Sequence, residues 1–206
     1  MPIQFIVHGD TEYYCIPIIL KAFGKTAYRP INLKGKGFGD SRGDLVKGKI
    51  AERIRDAVLK SPEKIVIVTD LEERRFCPGE FAALIHKELR EKLKKTYGGS
   101  FVESLPPLSV VVAHSRYENW IIADPDGITQ SNLIGKNPKN TVRQQADSKP
   151  AVTVLNECFA GYRRYSKTDH AIAQKLTSCV KFNDGNVQRR SKSLRKFLRE
   201  TGCIPS

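Results

Sequence analysis

The chain has 206 residues, 40% of them hydrophobic and 28% charged, with a formal net charge of +13; this is a globular composition for one domain with room for an appendage. No run approaches the roughly 18 to 20 uncharged apolar residues of a membrane span, and "MPIQFIVHGD" lacks the basic start and cleavage site of a signal peptide, so a cytoplasmic protein with no membrane partner is expected. Five cysteines, odd in number and scattered without ligand spacing, read as reduced packing residues and not as a disulfide or zinc framework.

Residues 3–7 form a short apolar run that predicts a first strand, followed by a helix over about 11–23 that stops at Gly24, with Pro17 expected to kink it or shift its start. Residues 27–33 read as a second strand, and "GKGFGDSRGD" as a loop carrying four glycines. A helix over about 44–60 precedes residues 64–69, a β-branched run of the kind that is buried on both faces in a parallel sheet. A further helix over about 79–95 and a strand over 108–113 complete a βαβαβαβ rhythm. That rhythm predicts an α/β domain over about the first 125 residues, a mostly parallel sheet flanked by helices. Residues 125–150 are polar and rich in proline and read as a connection. Helices near 151–159, 169–179 and 191–200 then make a small C-terminal helical extension over 126–206, packed on the domain.

Two strands end abruptly in acids. "IVHGDTE" places His8, Asp10 and Glu12 after the first, and "VIVTDLE" places Asp70 and Glu72 after the third. Ligands gather at the carboxyl ends of parallel strands. Carboxylates brought together there repel one another, so a hard cation such as Mg²⁺ or Mn²⁺ is the natural compensator, and phosphate chemistry follows. Taken singly these acids have plainer uses: Asp10 or Thr11 can cap the first helix, Glu12 can favour its positive end, and Asp70 and Glu72 can be loop acids.

These motifs resemble the two signatures of Toprim domains, shared by topoisomerases, primases and overcoming-lysogenization-defect nucleases: a glutamate before a glycine after strand one, and an Asp-x-Asp pair after a later strand. More closely, "GDTEYYCIPIIL", "HSRYENWIIADPDGI", "YSKTDHAIAQKL" and "RRSKSLRKFL" are similar to a bacterial Toprim-related family of unknown function. Its members show a V-E-G-x-T-E start, an E-x-W-x-x-A-D segment and a basic, serine-rich end. The resemblance covers nearly the whole chain. It implies a Toprim or Rossmann-like fold and a divalent-metal-dependent nuclease, with His8, Glu12, Asp70, Glu72 and Glu118 catalytic and the first four holding the metal. It also implies a partner ATPase of the AAA type, since some members are encoded beside one and are discussed as phage-defence proteins. The chain departs from the pattern at His8, where Toprim has its glutamate, and at Glu72, which replaces an aspartate. An imidazole brings no negative charge to magnesium, so a catalytically degenerate module that binds nucleic acid or regulates a partner is the alternative. A purely protein-binding role is a third.

The segment "RYENWIIAD" offers Glu118 and Asp124 as further acids and His114 and Arg116 as neighbours, while Trp120 suits either the core or a stacking platform. From residue 161 onward eleven Lys and Arg face three acids. Such a surface suits nucleic acid, DNA or RNA, with Arg163, Arg164, Lys167, Arg189, Arg190, Lys192 and Arg195 as candidates; a solvated helical face is the plainer reading.

Overall fold

The structure is a computed structural model that describes residues 2–34, 38, 46, 49–72, 74, 76–142, 145–161, 164–166 and 168–205. Most of the glycine-rich loop, and the first residues of the helix expected over 44–60, lie outside the described residues.

Four strands form one all-parallel sheet: β1 (Gln4–Val7), β2 (Ile31–Asn32), β3 (Ile65–Asp70) and β4 (Leu108–Ala113), in the order β2-β1-β3-β4. The β-branched run of β3 is buried from Ile65 to Thr69, as a strand covered on both faces must be. Side chains alternate between two cores. Phe5, Val7, Val66, Val68 and Val111 face one, and Ile6, Ile65, Ile67, Val110 and Val112 face the other. The fold class is therefore the layered α/β arrangement that the element rhythm predicts.

On the first face lie α1 (Asp10–Ala22), α5 (Glu118–Ile122), α8 (Ala151–Cys158), α9 (His170–Cys179) and α11 (Lys192–Glu200); on the second lie α2 (Ile50–Val58) and α3 (Pro78–Tyr97). The remaining helices are short: α4 (Gly99–Glu103), α6 (Pro125–Thr129), α7 (Lys139–Val142) and α10 (Gly185–Arg190). Leu194, Phe197 and Leu198 of α11 join Phe5 and Val111 in one cluster, so the C-terminal helices close the sheet's own core. Trp120 is fully buried there. Its ring lies 4.9 Å from Phe197 and its Nε1 donates to Ser193 Oγ at 2.8 Å, which settles it as a core residue with a satisfied polar edge.

Local departures have local causes. β2 is only two residues long because Ala27 pairs with Ile3 and Ile31 with Ile6, leaving one residue too many on the β2 side. Pro30, which has no N–H to give to a ladder, falls in that gap. The buried Gln4 amide fills it, donating to the carbonyls of Phe5 at 2.8 Å and Arg29 at 3.1 Å. α1 is helical through Pro17 and stops where Gly24 takes φ +63°, the left-handed geometry that suits glycine. The connection over 125–150 contains the single turns α6 and α7. Among the described residues no helix is long and apolar enough to cross a membrane.

The amino end of the sheet is closed by Glu200, at the end of α11. Its Oε2 accepts from Lys64 Nζ and Ser109 Oγ, each at 2.7 Å, and its Oε1 from Lys196 Nζ at 2.5 Å. Burial alone would raise this carboxyl, but the three donors outweigh it and hold it down at about 2. A depressed folded value means stability that is present above the unfolded value and lost as pH falls through the folded one. Glu200→Gln should therefore lower stability at pH 7 and flatten its decline between about pH 4.5 and pH 2, read by urea unfolding at a series of pH values. An unchanged acid limb would remove Glu200 from this role.

Candidate active site at the β1–β3 strand ends

The strand order turns at β1 and β3: the chain passes from β1 to β2 on one side, then crosses back to place β3 on the other. At such a switch the connecting helices diverge and leave a crevice beyond the carboxyl ends. α1 leaves β1 onto the first face and α3 leaves β3 onto the second.

Val7 pairs with Val68 and His8 N donates to Val68 O at 3.0 Å. Continuing that register sets His8 beside Thr69 and Gly9, still extended at φ −127° and ψ 176°, beside Asp70. Adjacent strands are about 4.8 Å apart. A Cβ built on Gly9 would lie 2.9 Å from Glu12 Oε2, so the Glu12 carboxylate folds back over Gly9 from the third position of α1. Strand alternation puts Asp70 on the same face as Val66 and Val68, the face α1 covers. Glu12 and Asp70 are therefore neighbours, with Glu12 only 3% exposed.

The other two expected ligands stand differently. His8 lies on the opposite face, its Nδ1 3.4 Å from Thr69 Oγ1 and its ring edge-on to Phe38 at 5.7 Å. Glu72 is exposed, at the unusual φ of +53°. This turn is held by its N–H, which donates to Ser115 O at 2.7 Å, and its carboxylate pairs with Arg74 at 3.5 Å. Positive φ at a non-glycine residue is rare and gathers at functional turns. Among the described residues no three His, Cys, Asp or Glu side chains converge on one point that could hold a metal ion. The pair Glu12 and Asp70 does fit magnesium, which is commonly held by one or two carboxylates with water and substrate phosphate completing the shell.

Behind Glu12 lies a buried polar layer that the sequence reading reached only through Glu118, itself 2% exposed. Tyr165 Oη donates to Glu118 Oε1 at 2.9 Å and also meets Thr11. Burial, and then the charges of Glu12 and Glu118, push the Cys15 thiol up against the hydrogen bonds from Thr177 and Tyr117, to about 11. Both carboxylates thus act on one thiol within the core, and Cys15 stays protonated. Burial, followed by the Glu118 charge, likewise raises Tyr165, which remains a donor. Asp124 is spent elsewhere: it caps α6 through Gly127 N at 2.9 Å and accepts from Lys181 N at 2.8 Å. His114 Nδ1 lies 3.0 Å from Asp147 O, and Arg116 N donates to Asn119 Oδ1.

The described members of the expected basic set fall around two hollows. Arg189, Arg190 and Lys192 flank a cavity of about 470 Å³ beside β4, Arg195 lies one turn further along α11, and Arg164 borders a separate hollow with Asp169 and Lys175. Arg190 is tied to the fold by a bond from Nη1 to Ala123 O at 3.1 Å. Arg163 and Lys167 lie outside the described residues.

No protein-family model matches the chain, and no curated protein matches it. Among solved structures it is similar to the C-terminal region of the Burkholderia pseudomallei OLD protein, with 13% sequence identity, a TM-score of 0.46 and 98% of each chain covered.

Tyr165→Phe removes the donor to a carboxylate that has no access to water, and should cost about 1 to 3 kcal/mol in urea unfolding at neutral pH. A change below about 0.5 kcal/mol, the scatter of an ordinary surface substitution, would show that Glu118 does not depend on that hydroxyl.

Proposed function

We propose that this chain is a Toprim-like nuclease that acts on the phosphodiesters of DNA or RNA with the help of Mg²⁺ or Mn²⁺. The observation that carries the reading is the pairing of Glu12 with Asp70 at the switch point of a parallel sheet. Carboxylates at the end of a parallel strand are the hard oxygen ligands that a divalent ion such as Mg²⁺ takes, with water and substrate phosphate completing its shell. A bound divalent ion would supply water activation and stabilisation of the leaving oxygen.

The chain's own residues then divide the work. Asp70 and Glu12 hold the ion and fix the position of the scissile phosphate. Glu118, held by Tyr165, lies in the buried layer beneath α1 together with Thr11, the neighbour of Glu12. His8 would take part as a proton acceptor or neutral ligand only by turning from Phe38 towards the strand ends. Glu72 reaches the crevice mouth from a constrained turn once its ion pair with Arg74 opens. Arg189, Lys192 and Arg195, with Arg164, Arg190 and the outlying Arg163 and Lys167, supply cations for the backbone of the nucleic acid. A cytoplasmic setting, expected from the sequence, a partner ATPase of the AAA type and a role in phage defence complete the reading, the last two resting on the motif resemblance alone.

The second reading, a degenerate module that binds nucleic acid or regulates a partner ATPase, is favoured by the position of His8, whose ring packs on Phe38 on the face away from Asp70. One cleavage experiment separates the two, using plasmid and RNA with each metal across pH 5.5 to 8.5. Wild type should cleave, Asp70→Asn should lose at least about 100-fold, in line with removal of a charge-stabilising group, and Mn²⁺ should outperform Mg²⁺. Cleavage by His8→Glu with an inert wild type would establish the degenerate reading; inertness of both, with and without an ATPase partner, would end the nuclease reading.

A further inference from the structure

The cavity beside β4 has chemistry of its own, independent of whether Glu12 and Asp70 catalyse anything. β4 is an edge strand. Ile65 N donates to Pro107 O and Leu71 N to Ala113 O, each at 2.9 Å, which fixes the phase of the ladder. Odd-numbered residues of β4 bond to β3, and the N–H and C=O groups of Val110 and Val112 point the other way. Among the described residues nothing bonds to them, and both valines line the cavity. Unpaired main-chain donors and acceptors inside a recess are expensive unless something occupies it.

The walls say what that occupant is. The valines with Ala82 and Pro78 give an aliphatic surface, while Arg189, Lys192 and Lys196 stand opposite. Lys196 is shared with Glu200, whereas Arg189 and Lys192 make no ion pair among the described residues. Asp147, the acid among the lining residues, is already spent on Ser191 Oγ at 2.6 Å and on Ser193 N and Oγ at 3.0 Å each. The recess also reaches Cys77 and Pro78, where the 20-residue helix α3 begins, and the positive end of its dipole favours an anion there.

We propose that this cavity binds a nucleoside phosphate unit, with the base edge paired to Val110 and Val112, the base lying on the aliphatic wall, and the phosphate held by Arg189 and Lys192. Every nucleobase carries a donor next to an acceptor on its pairing edge, which is what a strand edge offers in mirror order. About 470 Å³ is within the range of small-ligand pockets, roughly 300 to 1,000 Å³. The unit is either a free nucleotide or one unstacked residue of a single strand.

Cys77 at the rim is exposed while the other four cysteines are buried or half-buried, so its alkylation by iodoacetamide, read by peptide mass spectrometry in EDTA, reports occupancy. The probes are AMP, ADP, an oligo-dT 15-mer, inorganic phosphate and a polyglutamate peptide. Nucleotide or oligonucleotide should slow Cys77 alkylation at concentrations where phosphate does not, and Arg189→Gln/Lys192→Gln should require about tenfold more ligand or beyond for the same protection. Asp70→Asn should bind as wild type does, so that loss of the nuclease reading leaves this one standing. Protection by AMP or ADP assigns the site to a free nucleotide, and protection by the 15-mer alone assigns it to a strand. The proposal is overturned by protection from phosphate alone, by protection from polyglutamate without nucleotides, which would make the edge a peptide-docking strand, or by no protection from any probe.

Discussion

The parallel pairing of β1 with β3 is the contact on which the rest of this molecule depends. β1 is covered on both faces and flanked on both edges, so its four residues belong at once to two cores and two ladders. Because the chain leaves β1 towards one face and β3 towards the other, the helices cannot close over the two strand ends together. The same topology that buries Phe5, Ile6 and Val7 therefore leaves an opening directly beyond them, and the residues that follow the strands must be polar.

The two ends of the sheet resolve their polar groups differently. At the amino end, Lys64, Ser109 and Lys196 converge on Glu200, and Lys60 Nζ reaches Gln4 Oε1 at 2.9 Å. These are charge-assisted bonds in which each carboxylate or amide oxygen meets a donor, and they tie the last helix to the sheet. At the carboxyl end two carboxylates, Glu12 and Asp70, sit beside each other, with a third, Glu118, close behind and answered by a tyrosine. Arg74, which follows β3, donates to the carbonyls of Asp70 and Leu71 and pairs with Glu72. An excess of acid at the centre of a protein of net charge +13 is a feature of placement that total charge conceals.

What was legible in the sequence follows from the range of the forces involved. β3 and β4 were readable because a strand buried on both faces has no polar position to blur its run, and α9 and α11 were readable as helices near 169–179 and 191–200; the structure adds that Asp169 and Ser191 cap them, each accepting from the N–H three residues on. β2 was read too long, since its limit comes from a register slip against β1 that Pro30 and the Gln4 amide share. α10 escaped because six residues, Gly185–Arg190, give too little period to see. In the candidate site, the proximity of the strand-end acids could be argued from parallel topology alone. The roles of Tyr165, Thr11 and Cys15 could not, because Tyr165 comes from a loop 47 residues from Glu118 and only packing brings them together. Nor could strand alternation at the ends be read with assurance, and it is alternation that separates His8 from Asp70 by a sheet face.

The basic tail shows how much a charge count can overstate. Of its described cations, Arg190 is bound to a backbone carbonyl, Lys196 to Glu200, and Arg164 borders a different hollow. Arg189 and Lys192, at the end of α10 and the start of α11, are where they are because Asp147 pulls Ser191 and Ser193 inward and sets the turn between the two helices. That turn brings positive charge to the open edge of β4. Leu71, the residue after Asp70, bonds to Ala113, and the adjacent His114 lines the cavity, so the basic recess at the open edge of β4 and the acids after β1 and β3 are borne by neighbouring strands of one sheet.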